Sequence, residues 1–79
     1  MNLNILEIFG TNLKELRKIR NMSQEALAEK CGLHRTYISD LERFKRSISL
    51  GNLQKIAEVL SIEPYKLLVP KDKSRGMEK

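Results

Sequence analysis

The twenty residues from Gln24 to Arg43, QEALAEKCGLHRTYISDLER, constrain this chain more than any other stretch. Ala28 places a small side chain where two steeply crossing helices come closest. Gly32 follows four residues later and is free to take the left-handed backbone that a tight turn requires. Ile38 and Leu41, three residues apart, put apolar groups on the inner side of a second helix. Leu27, Ala28 and Cys31 form the matching side of the first. Each feature is weak by itself. In this register they describe two short helices packed at a steep angle through a short turn, a helix-turn-helix motif.

The rest of the chain reads as helix on either side of this motif. Leu6, Phe9, Leu13, Leu16 and Arg20 recur at spacings of three and four, which puts them on one helical face. Gly10 interrupts the pattern, so a start after it is an alternative. We expect a start near Asn4 and an end at Asn21, a residue that tolerates the left-handed cap conformation. Ser23 is the expected N-cap of the first motif helix, and Leu33 or His34 precedes the second. Arg43-Phe44-Lys45-Arg46-Ser47 is a basic loop. Ser49 caps a fourth helix that turns Leu53, Ile56, Ala57 and Leu60 inward. Pro64 suits the first turn of a fifth helix, Tyr65 to Leu68, which Pro70 ends. No strand pattern appears. The expected fold is therefore an all-α, compact five-helix domain over residues 1–70, followed by a flexible basic tail over 71–79.

Composition narrows the function classes. At 79 residues the chain holds one domain, and a domain this small buries only about 60% of its unfolded surface, so pairing with a second copy is a common remedy. A net charge of +5 favours an anionic partner. No apolar run approaches the length of a membrane span. The start, Met1-Asn2-Leu3-Asn4, lacks the basic opening of a secretory signal, and one cysteine makes no internal disulfide; both fit a cytoplasmic protein. One Cys and one His do not make a structural zinc site, and no glycine-rich phosphate loop is present, so no metal or cofactor is expected. Cys31 and His34 lack a third orienting group, and the helical pattern accounts for both, so no enzymatic activity is expected. Cys31 reads as a small buried apolar residue.

Residues 10 to 68 resemble the phage-repressor-like (Xre-type) helix-turn-helix regulators through the words NLKELRKIRNMSQEALAEKCGL, YISDLER and SLGNLQKIAEVLSIEPYKLL. Within that family, HRTYISDLER followed by RSISLGNLQKIA is most similar to the controller proteins of restriction–modification systems. The resemblance implies five helices, a homodimer on double-stranded DNA, and transcriptional control of the endonuclease gene and of the protein's own gene. One residue departs from the pattern. Family members commonly have glycine after the Glu-Arg pair that ends the recognition helix, and here Phe44 stands there. Two outcomes follow: the loop leaves the helix differently, or Phe44 accepts an unfavourable backbone and packs on the domain or against DNA.

In a helix-turn-helix the second helix enters the major groove with its N-terminal residues toward base edges. That selects Arg35, Thr36 and Ser39 as base-reading residues, with Arg35 able to donate two bonds to guanine. The resemblance adds Arg46 to the base-reading set. Gln24 and Asn52, each at a helix start, are expected at the DNA backbone, together with His34, Arg43 and Lys45. Tyr37 divides evenly between covering the core and reaching a phosphate. Asp40 and Glu42 read either as local ion pairs with Arg43 and its neighbours or, by the resemblance, as an acidic patch for RNA polymerase.

Leu60, Ile62, Tyr65, Leu68 and Val69 form a large apolar set for the end of so small a domain. Part must be core, and the set is the candidate dimer surface. The competing function is an antitoxin, which binds a toxin and represses its own operon. RNA binding is disfavoured, since stacking aromatics on a sheet and a GXXG loop are both missing.

Overall fold

A computed structural model describes residues 4–70 of the chain. The expected tail over 71–79 lies outside the described residues. Four α-helices follow one another: α1 (Ile5–Ile19), α2 (Gln24–Cys31), α3 (Arg35–Glu42) and α4 (Leu50–Leu60), then one 3-10 turn (Pro64–Leu67). The expected fifth helix is thus a single tight turn. Pro64 starts it, and it closes after one turn. Its bonds, Lys66 N–H to the Glu63 carbonyl and Leu68 N–H to the Tyr65 carbonyl, span three residues.

The helix limits follow from local chemistry. Asn4 caps α1 by accepting the Leu6 and Glu7 amides, so the helix runs straight through Gly10. Its end is closed by Asn21 at φ 59°, as its type allows. Ser23 and Ser49 each accept the amide three residues on and open α2 and α4. Gly32, at φ 71°, ends α2.

α2 packs on α3 and α4, and α1 packs on α3 and the 3-10 turn. The core between them holds Phe9, Leu13, Leu27, Ile38, Leu41, Ile56, Leu60 and Leu67. Two side chains, one in α1 and one at its C-cap, bind the end of the domain. Asn12, buried, donates to the carbonyls of Leu67 and Val69 at 3.0 and 2.9 Å. Arg20 donates through Nε to the Leu60 carbonyl at 2.9 Å. Among the described residues no helix is long and apolar enough to cross a membrane.

At Gly10 the end of α3 comes close to the backbone of α1. A methyl group there would stand 2.5 Å from the Leu41 carbonyl oxygen and 2.7 Å from Phe44 Cδ1. The glycine that seemed to interrupt α1 instead lets the end of α3 lie against it.

Candidate nucleic-acid interface

α3 shows one polar face to solvent. Arg35 and Thr36 are exposed at its N-terminus, and Ser39, one turn on, is half-buried on the same side. Opposite, Ile38 and Leu41 are fully buried, which fixes the rotation of the helix about its axis. His34 is the N-cap, with extended backbone and no side-chain capping bond, so its imidazole stands at the helix entrance.

Tyr37, Arg46 and Asn52 come together from three separate segments. The Arg46 guanidinium lies 4.9 Å above the Tyr37 ring centroid, within cation–π range. Asn52 Nδ2 donates to the Tyr37 hydroxyl at 3.1 Å. The hydroxyl proton is therefore left to donate outward, toward an anion such as a phosphate. Tyr37 covers the core with its half-buried ring, one of the two roles that its sequence allowed, and its hydroxyl is bonded to Asn52. With Leu33, His34 and Thr36 these three residues line one hollow beside the front of α3. Arg43 and Lys45 are exposed in the loop that follows α3.

Behind this face lies a network that the sequence reading missed. Glu42 does not pair with Arg43, nor does it form an exposed acidic patch. Its carboxylate is buried and held by Arg17, Nε to Oε2 at 2.6 Å and Nη2 to Oε1 at 3.0 Å. Arg17 also donates to the Met22 carbonyl at 2.7 Å. Gln24 Nε2 donates to Glu42 Oε1 at 3.0 Å, while Gln24 Oε1 faces Arg35 Nη1 at 3.5 Å. The Gln24 amide has a second hydrogen besides the one given to Glu42. Buried charge thus supports the base of α3 and reaches toward Arg35 at its front. A signal was present: Arg17 follows Leu13 and Leu16 on the apolar stripe, and Glu42 follows Ile38 and Leu41, so each charge stands where a core residue was due.

The candidate dimer set divides. Leu60 is fully buried in the core of one chain, so it has no surface to offer a second, and the expectation for it is corrected. Ile62 and Leu68 are half-buried, while Tyr65 and Val69 are exposed at 58% and 41%. Leu16 and Ile19 of α1 join Ile62, Tyr65 and Val69 around one hollow, and neither was expected there. Cys31 is buried; burial pushes its thiol up, against a smaller downward pull from Lys55, in keeping with a small apolar residue.

A helix presenting a polar, cation-fronted face through a tight turn, with its far side locked in a core, defines a helix-turn-helix module. Residues 13–67 match the helix-turn-helix family (HTH_3), and the chain belongs to that family of DNA-binding transcription regulators. Within the family it is a member of the controller-protein group of restriction–modification systems. It is 49% identical over 69 residues to the control protein C.BamHI of Bacillus amyloliquefaciens, covering 86% of this chain and 85% of that one. The crystal structure of the controller protein C.AhdI from Aeromonas hydrophila superposes with a TM-score of 0.76 at 47% identity, covering 78% of this chain and 94% of that one. The controller protein C.Esp1396I, a tetramer in complex with its natural 35-base-pair operator, gives a TM-score of 0.74 at 32% identity, covering 84% and 87%.

Proposed function

We propose that this protein binds as a homodimer to a pseudo-palindromic operator upstream of its own gene and of an endonuclease gene. The observation that carries this reading is the α3 face, where Arg35, Thr36 and Ser39 line up beside the Tyr37–Arg46–Asn52 cluster. Arg35, Thr36, Ser39 and Arg46 read base edges; Gln24, His34, Tyr37, Arg43, Lys45 and Asn52 hold phosphates. Ile62, Tyr65, Leu68 and Val69, widened by Leu16 and Ile19, meet a second copy across a two-fold axis. The likeness to a relative that assembles on its operator supports more than one copy per DNA. Contact with RNA polymerase would rest on Asp40, half-buried at the surface, without Glu42. Such a regulator works in the cytoplasm, where its genes are.

The test is a nuclease footprint on the DNA upstream of the gene. Protection of two related half-sites, about 10 base pairs apart centre to centre, is expected. Uniform cleavage at saturating protein, at low salt, would overturn the reading.

A further inference from the structure

Phe44 occupies a position that glycine would fill more easily. Recognition helix α3 ends in a Schellman cap: the Phe44 amide donates to the Leu41 carbonyl at 3.2 Å and the Lys45 amide to the Asp40 carbonyl at 2.9 Å. Such a cap needs left-handed backbone at its turning residue, and Phe44 has φ 66°. A side chain there is strained, and a phenylalanine gains nothing from the cap itself. Its ring compensates by lying on Gly10, the one place on α1 with no side chain to exclude it. The seat is partial, since Phe44 remains 40% exposed, so it adds little to the core. The ring is thus seated at the point where the chain leaves α3. Two residues later Arg46 lies over Tyr37, beside Asn52.

We propose that Phe44 is a positioning residue for DNA recognition. Seated on Gly10, its ring holds the loop after α3 so that Arg46 is already stacked on Tyr37 before DNA arrives. The benefit is preorganisation: a loop ordered in advance loses less entropy on binding. This inference rests on the proposed role of Arg46 at the DNA, but the placement of the loop is a property of the free protein.

Phe44→Gly isolates the ring, because glycine accepts φ 66° and both cap hydrogen bonds can persist. In the free protein, 15N relaxation should show Lys45, Arg46 and Ser47 as rigid as α3 in the native chain and mobile in F44G. Operator affinity should fall about five-fold or more, the low end for one lost base contact. Arg46→Ala should then cost clearly less in F44G than in the native background. F44L, which keeps an apolar group over Gly10, should recover part of both effects, and it serves in place of F44G if the glycine chain does not fold. Unchanged relaxation in F44G, or an equal cost of R46A in both backgrounds, overturns the proposal. If the native chain does not distinguish operator from scrambled DNA, the operator reading fails instead, and relaxation alone decides the positioning of the loop.

Discussion

Arg35 and Lys45 are both exposed cations, yet they are expected to behave differently because of where they stand. Arg35→Ala should cost about 1–3 kcal/mol on the operator and relax preference at one base pair per half-site, since a bidentate contact to guanine is lost. Lys45→Ala should weaken operator and scrambled DNA by the same factor, since phosphate contacts carry no direct sequence information. Competition binding of both variants checks this; an unchanged operator-to-scrambled ratio for Arg35→Ala would mean that α3 does not read bases. Arg17 and Glu42 act from inside. Glu42→Ala leaves a buried guanidinium facing an empty space, and urea unfolding should show a loss of about 3–5 kcal/mol, far above an exposed pair. The base-reading candidates were legible in the sequence because a helix-turn-helix fixes which turn of α3 faces outward. The Arg17–Glu42 pair was not, since its partners stand 25 residues apart and only packing of α1 on α3 brings them together.

At the scale of the elements, the helix ends decide the architecture. Among the described residues, three non-glycine residues, Asn21, Phe44 and Ser61, and one glycine, Gly32, carry left-handed backbone where helices stop. At Gly32 nothing would touch an added methyl, so Gly32→Ala should cost about 1–2 kcal/mol through the backbone alone. Gly51 has equally open surroundings but lies within α4 and has no left-handed φ. Gly51→Ala should therefore stabilise by about 0.5–1 kcal/mol. Thermal unfolding of the two variants should move the midpoint in opposite directions, and a shared direction would contradict the assignment. Asn21, Ser23, Gly32 and Ser49 declared these ends in the sequence, each by its own side-chain chemistry. The fifth helix was misread because proline marks where a helix can begin, not how far it continues before the next proline.

For the whole molecule, the proposed function gives the binding to charge and to the apolar end of the domain. About two to three phosphates neutralised per subunit make about four to six for a dimer, so log K should fall with log salt at a slope of about −4 to −5. A slope near zero would show that the cations do not lie along the DNA. Tyr65→Asp places a charge in the middle of the proposed two-fold surface without opening the core, because the side chain is largely exposed in one chain. Sedimentation at tens of micromolar should show a dimer for the native chain and a monomer for the variant, with helical content unchanged. A native monomer both free and on DNA would remove the dimer from the mechanism.

By itself the sequence determined what depends on neighbours along the chain: the helical periodicity, the caps, the turn at Gly32, and hence the polar face of α3. These follow from side-chain size, backbone freedom and spacings of three or four residues, which act over one or two helical turns. Only the tertiary structure decided what depends on residues far apart in the chain. It buried Glu42 against Arg17, withdrew Leu60 from the surface, and brought Arg46 over Tyr37. It also seated Phe44 on Gly10, so a helix interruption and a misplaced aromatic became two halves of one contact. The physical reason is the same in each case: burial and pairing are set by which helix faces which, and that depends on close packing of the whole core.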